Sequence, residues 1–543
     1  MLSAACSCRC WSRLVVALAW LAVCLAEPCW TGTPKDTAKP RAKFTLGRDT
    51  TFFTEPLDKD GYVDYASALN AYFGKGVKAE ENAYVPLINL LGPAPEGGQP
   101  LPNVFFQALG IPPLPVEGDY FLPIFRYLTQ VENVGQQVAV RADDQLVQAI
   151  FYPWQADDYP LVALWLRHYE ARLDRLKQEM QRPRYFRPLV PSGRLHEQLL
   201  PDVQKFRSLS HAYLARAMLR TRHGLYQQAW DDLLASKRLG QLVGQGSTVI
   251  EALVGITIQG ATSRALVAYL AAAPLDAATW QRLQQQWRSI PAPAGDLVRV
   301  AVCDRVFHLE VVQLIHRGES LDFLAQLGGP VAPLTPLEHA ILRAGLDWEE
   351  ALRTLNRWCD RFEEVLRERD RLQRNKRLDE LDAEVQRAGE PARAATEKFS
   401  WLPIMAQILA GQGQAAARQW GLELFSSMTE VHRRIAGAFD RLEESERLMD
   451  VAFALARYRD QVGKYPERLE QLVPQFLPRI EPDIFSGKPP IYRRSGTGYV
   501  LYSVGPNGQD DGGRTYEDNP RGDDIVIRMP PTPPVRKPSQ VGS

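Results

Sequence analysis

From Asp158 to about residue 460 the chain carries apolar residues at three- and four-residue spacings and no strand-rich segment. That spacing puts the apolar side chains on one face of a helix, so the region is restricted to packed helices. Leu161, Leu164, Trp165, Tyr169, Leu173 and Leu176 make one such stripe. Small residues at Ala215 and Ala229, with Gly224 between them, predict two helices that approach closely across a turn. The almost uncharged segment after Gly244, with Glu251 as its conspicuous carboxylate, is expected to be the most buried helix of this region. Further helices are expected over 277–288, 296–316, 336–387, 401–409 and 415–437. The 336–387 run alternates charge of both signs, as a solvated helix face does.

The expected organisation has five parts. Residues 1–26 read as a signal peptide. Arg9 and Arg13 precede a 13-residue apolar core, Leu14–Ala26, that is too short to span a bilayer comfortably. The expected destination is outside the cytoplasm, in a periplasm or at the cell surface, with membrane contact only through this segment if it stays uncleaved. Residues 27–150 are rich in proline and glycine and predict short helices joined by extended pieces. Residues 151–445 form the helical body, 446–530 a small module with strands, and 531–543 a disordered tail. The fold class expected is mainly α, in repeat-like helical hairpins, with a C-terminal α+β module of antiparallel strands.

Charge and motif content narrow the function. Lys+Arg and Asp+Glu both number 64, so the chain lacks the basic excess of a nucleic-acid binder. No GxSxG, Walker loop, HExxH or zinc-spaced cysteine set is present in the mature region. His308 and Glu310 are two residues apart on one helix and point to different faces. The adjacent pairs Asp231–Asp232 and Glu349–Glu350 read as solvated faces for the same reason. Asp58, Asp60, Gly61 and Asp64 echo the middle of a calcium loop. Both end ligands are missing, which favours a tight turn leading into a helix at Tyr65. Cys303 and Cys359 are read either as a disulfide or as two buried thiols.

The densest chemistry lies between Gly463 and Ile527. Gly463 and Pro466 end a helix, a short helix follows over Glu467–Leu477, and three segments rich in β-branched and aromatic residues follow it. Ser495–Gly498 is the expected hairpin loop. The loop after Gly505 holds Asp510, Asp511, Glu517, Asp518, Asp523 and Asp524 against Arg514 and Arg521. Such an excess of carboxylate calls for solvation or a hard cation, and Ca²⁺ accepts six to eight oxygens.

The motifs Gly463-Lys464-Tyr465-Pro466, Leu469–Leu472, Pro482-Asp483-Ile484-Phe485-Ser486-Gly487-Lys488-Pro489, Tyr499–Gly505 and Asp524-Ile525 resemble the C-terminal globular part of the major pseudopilin of type II secretion. The resemblance spans about 448–527. It implies a calcium site drawn from Ser503, Asn507, Asp510, Asp511, Asp523 and Asp524. It does not imply a pilus subunit, because a long helical body stands where that family has a leader and a polymerising helix. Gly224, Tyr226, Ala229, Leu233 and Ser236 resemble one tetratricopeptide repeat. The remainder resembles large exported proteins of planctomycete-type bacteria. Together these features predict an exported non-enzymatic scaffold or interaction protein with protein partners, a calcium-stabilised C-terminal module and an association with a type II secretion-like system. The alternative is an exported, hydrolase-like enzyme with its site between the N-terminal region and the helical body.

Overall fold

Apolar stripes at helical spacing can be buried only against one another, and here they meet in two cores. The computed structural model describes residues 40–94, 99–190, 194–195, 201–291, 297–319, 334–393 and 401–531. The expected signal peptide and almost all of the expected tail lie outside the described residues.

Residues 42–64 run as a strap over helices that follow some 250 to 300 positions later. Val63 donates its N–H to Gln313 Oε1 at 2.9 Å, and the Tyr62 hydroxyl meets His316 Nδ1 at 2.7 Å. Thr50 O accepts from Asn356 Nδ2 at 2.6 Å. The Asp58–Asp60 stretch is a tight turn. Asp58 Oδ1 accepts from the N–H groups of Asp60 and Tyr62, and Arg317 pairs with both aspartates. The turn ends at Asp64, whose side chain accepts from Ser67 N and caps α1 (Tyr65–Phe73).

The proline-rich stretch folds as α2 (Tyr84–Leu91), α3 (Asn103–Leu109), α4 (Ile124–Gln130) and α5 (Gln136–Ala149). Longer helices follow: α6 (Pro160–Glu179), α7 (Pro201–Arg222), α8 (Tyr226–Val243), α9 (Val249–Ala272) and α10 (Ala277–Arg288). Helices α7 and α8 form the expected hairpin. Gly224 turns it with φ 75°, and Ala215 and Ala229 are fully buried. Helix α9 starts with a capping box in which Thr248 and Glu251 satisfy each other's backbone N–H. Its Gly255 passes so close to Gly244 that an added Cβ would lie 2.5 Å from the Gly244 nitrogen. Among the described residues, α9 is the helix long and apolar enough to cross a membrane; 67% of its most apolar window is buried in protein.

The remaining helices are α11 (Leu297–Arg317), α12 (Pro336–Gly345), α13 (Trp348–Leu366), α14 (Arg371–Arg393), α15 (Leu402–Leu409) and α16 (Gly413–Val462). The expected single helix over 336–387 is therefore three. Asp347 caps α13 by accepting from Glu350 N at 3.0 Å, and Asp370 Oδ1 accepts from Gln373 N at 2.9 Å where α14 begins. Each of these side chains offers the backbone a new start, which the charge alternation hides. The opposite error occurs next. The segments read as separate helices before and after Gly437 are one helix of 50 residues. No proline interrupts it, and its packing outweighs the weak helix preference of Gly421 and Gly437.

A three-stranded antiparallel sheet closes the chain, in the order β1 (Ile491–Ser495), β2 (Gly498–Ser503), β3 (Ile525–Met529). Ser495 pairs with Gly498, so Gly496 and Thr497 form a two-residue hairpin loop, with Gly496 at φ 55°. The expected short helix before the strands contracts to one 3₁₀ turn, Leu469–Leu472.

The first core joins α2–α10 to Leu448–Ala456 of α16 and to Tyr499, Leu501 and Ile527 of the sheet. The second joins the strap and α11–α15 to Ala416–Phe439 of the same helix. Cys303 and Cys359 form no disulfide and are both thiols buried in the second core, which decides between the two readings. Both carboxylate pairs depart from expectation. Asp232 is fully buried and binds Arg216 and Arg220, with Arg216 Nη2 at 2.6 Å, while Asp231 is half-buried beside Gln227. Glu350 is largely shielded and shared by Arg418 and Arg357.

The two interior glycines of α16 should respond oppositely to alanine. A Cβ at Gly421 would sit 2.7 Å from Ala351 O, whereas at Gly437 it meets nothing within 4 Å. Gly437→Ala should raise unfolding free energy by about 0.5–1 kcal/mol in urea titration, and Gly421→Ala should lower it by about 1–3 kcal/mol.

Candidate cation site

The module is built outward from the end of α16. Gly463 takes the left-handed conformation, φ 80°, that ends the helix, and its N–H bonds Arg459 O. The chain then turns so that Tyr465 is buried edge-on against Tyr499 of β2, ring centroids 4.8 Å apart. Arg459 donates to the Tyr465 hydroxyl at 2.9 Å, and the Tyr492 hydroxyl donates to Pro466 O at 2.8 Å. The Gly-x-Tyr-Pro segment is thus a joint between helix and sheet.

The second joint is Asp483, which is 2% exposed. Its Oδ1 accepts from Phe485 N at 2.8 Å and Ser503 Oγ at 2.9 Å; its Oδ2 accepts from Ser486 Oγ at 3.0 Å and Val504 N at 3.1 Å. Four donors make this carboxylate the fastening point of the turn before the strands. Glu444 of α16 lies behind it, buried, and accepts from Ile484 N at 3.1 Å. Burial raises the Glu444 carboxyl to about 7, and the neighbouring Asp483 carboxylate adds to the rise against the Ile484 hydrogen bond.

The acidic loop folds back over the end of β2. Of the six expected ligands, Asp511, Asp523 and Asp524 converge, with one oxygen from each lying within 4.8 Å of the others. Ser503 points away and is used by Asp483. Asn507 acts chiefly as a donor, through its backbone to Asp523 Oδ2 at 3.1 Å and through Nδ2 to Asp511 Oδ2 at 3.2 Å. Asp510 is engaged elsewhere, by the Tyr502 hydroxyl at 2.9 Å and Gly512 N at 2.8 Å, with Arg493 at 3.7 Å.

Backbone N–H groups partly satisfy the triad. Gly513 N donates to Asp524 Oδ2 at 2.7 Å, and Asp523 N donates to Asp511 Oδ2 at 3.0 Å. The nearest cations are Arg514, 3.6 Å from Asp511, and Arg441, 4.0 Å from Asp523. Asp523 Oδ1 is buried and has no hydrogen-bond partner. Burial pushes the Asp524 carboxyl up, the Gly513 and Asp511 hydrogen bonds oppose the shift, and the Asp511 and Asp510 charges add to it. Gly505, at φ 69°, permits the crossing, since a Cβ there would lie 2.3 Å from Asp523 O. Hard carboxylate oxygens at this separation suit one divalent ion. Two ligands on opposite sides of Ca²⁺, each at ~2.4 Å, are ~4.8 Å apart.

Where the alternative site was expected, the N-terminal region meets the body through buried charge. Arg187 Nε binds both oxygens of Asp202 at 3.0 and 2.8 Å, and the Tyr84 hydroxyl donates to Asp202 at 2.7 Å. The Arg182–Arg187 cluster is thus a packing corner: Arg182 also holds Ala79 O at 3.0 Å. Buried groups near this corner include Glu251 Oε1 and the Tyr185 hydroxyl, both without a hydrogen-bond partner.

Two variants test the joints. Asp483→Ala strands four donors and should cost about 3 kcal/mol or more in urea unfolding. For Glu444 the folded carboxyl titrates higher than the unfolded one. Its contribution to stability is complete below about pH 4.5 and is lost as pH rises through about 7. Glu444→Gln should flatten the unfolding free energy between pH 5 and 8 relative to the parent, by up to about 3 kcal/mol.

Compared with protein-family models, curated proteins and solved structures, the chain finds no match in any of the three.

Proposed function

We propose that the chain is an exported, non-enzymatic scaffold or interaction protein whose C-terminal module is stabilised by calcium and which works beside a type II secretion-like system. The observation that carries the reading is the convergence of one carboxylate oxygen each from Asp511, Asp523 and Asp524, together with the buried, unpartnered Asp523 Oδ1. A bound divalent ion would offset most of the charge of three carboxylates that, among the described residues, Arg514 and Arg441 approach as cations. It would act by mass action, since the unfolded loop holds no such cluster. Export rests on the leader, and the secretion setting on the Gly463–Pro466, Pro482–Pro489 and Tyr499–Gly505 motifs. The motif residues have the roles that such a module needs: Tyr465 docks the sheet, and Asp483 fastens the turn.

The test is thermal melting of the full chain. Removing divalent ions with chelator should lower Tm by several degrees, and millimolar CaCl₂ should restore it. Asp523→Asn should abolish the calcium response while leaving the chelated protein as stable as the parent or more so. A parent protein whose Tm ignores both chelator and calcium has no such site.

A further inference from the structure

A pocket of about 110 Å³ lies between the end of α10, the C-terminal half of α16 and the segment that leads from Leu477 to the sheet. Three arginines line it, and each already has a carboxylate. Arg288 Nε meets Asp450 Oδ1 at 2.7 Å, Arg479 Nε meets Glu481 Oε1 at 2.6 Å, and Arg447 Nη2 meets Glu443 Oε1 at 2.7 Å. Arg447 Nη1 also donates to Pro482 O at 3.1 Å. Arg457, further along α16 and not part of the lining, is turned to Phe476 O and Gln281. A fourth carboxyl, Glu444, lines the same pocket and is 1% exposed. Among the described residues Glu444 forms no ion pair; Oε2 accepts from Ile484 N at 3.1 Å, and Oε1 is left for the pocket.

The free side of Glu444 selects the ligand. One carboxylate oxygen serves a single N–H donor; a forked guanidinium needs both. One carboxylate is also far short of the six to eight oxygens that a hard metal ion takes. The walls are apolar: Leu448, Leu477 and Pro490 are buried beside it. An alkyl stem packs on such walls, as the methylenes of a lysine do. No cation is available from behind. Asp483 is a carboxylate with four donors of its own, and Asp440, one helical turn back, is held by Arg371 and Arg374. Burial and the neighbouring Asp483 charge therefore keep the Glu444 carboxyl up at about 7, although Arg447 opposes the shift.

We propose that this pocket binds a primary ammonium group on a short apolar stem, the chemistry shared by a lysine side chain of a partner protein and a free alkylamine. The ammonium donates to Glu444 Oε1, and the stem lies on Leu448 and Leu477. Binding fixes Glu444 as a carboxylate, so it releases the proton that the unliganded side chain keeps near neutral pH. The pocket shares no residue with Asp511, Asp523 and Asp524, so amine binding and calcium-dependent melting can fail separately.

The experiment is isothermal titration of the full chain with Nα-acetyl-lysine methylamide and, separately, with n-butylamine, both protonated throughout the range used. Expected at pH 8 is saturable binding that becomes about ten-fold weaker at pH 6, the loss set by a carboxyl titrating at about 7. At pH 7 the heat should vary with the ionisation enthalpy of the buffer, in the sense of about half a proton released per ligand bound. Glu444→Gln has the shape of the protonated acid, so it should keep Tm near the parent value at pH 6 and lose both the binding and the proton release. Tighter binding of the lysine derivative would support a partner's lysine as the source, and tighter binding of n-butylamine a free amine. No saturable binding, equal binding of the Nε-acetylated lysine derivative, tighter binding of the arginine counterpart, or binding that survives Glu444→Gln would each overturn the proposal.

Discussion

One helix belongs to both cores. Residues Ala416–Phe439 of α16 pack among α11–α15 and the strap, and Leu448–Ala456 pack among α7–α10 and the sheet. At 1.5 Å per residue its 50 residues extend about 75 Å, so it spans both cores without a break. Almost every other element is arranged by which part of this helix it covers. Close approach is purchased with small residues: Gly421 lets α13 come to backbone distance, and Ala416, Ala417, Ala452 and Ala454 are nearly or fully buried.

Buried charge holds the parts in register along that helix. Asp440 receives Arg374 at 2.5 Å and Arg371 at 2.9 Å from α14. Arg371 also lies 4.1 Å from the ring of Phe485, in the turn that Asp483 fastens. Lys237 of α8 reaches Glu446, which also accepts from Trp287 Nε1 at 2.8 Å. Such pairs add modest net stability, but removing one partner leaves a buried charge without compensation.

The C-terminal module is fastened to this helix and does not stand apart from it. Tyr465 and Asp483 each join one of its turns to the sheet, and Glu444 and Arg441 reach it from α16 itself. A cation at Asp511, Asp523 and Asp524 would therefore tighten a loop whose neighbour, Arg441, sits on the shared helix.

Periodicity, turn residues and composition were sufficient for the helical class, the Gly224 hairpin, the Asp64 start of α1, the Gly463 stop and the three strands. Each depends on interactions within a few residues, and those are written locally. Helix lengths were less legible. The breaks at Asp347 and Asp370 are single capping side chains inside a charged run, and the continuity through Gly437 is imposed by packing from distant segments. For the site, the acidic loop was visible as composition, but six candidate ligands became three. Which carboxylates converge depends on how the loop crosses Gly505, on Tyr502 drawing off Asp510, and on Asp483 drawing off Ser503. The burial of Asp483, Glu444 and Asp232 gave no local signal, because a carboxylate in a sequence looks the same whether it faces water or the interior. The chain alone determined which segments are helix or strand and where charge is concentrated; tertiary structure decided which charges are buried, paired or left facing one another, since that depends on contacts between residues hundreds of positions apart.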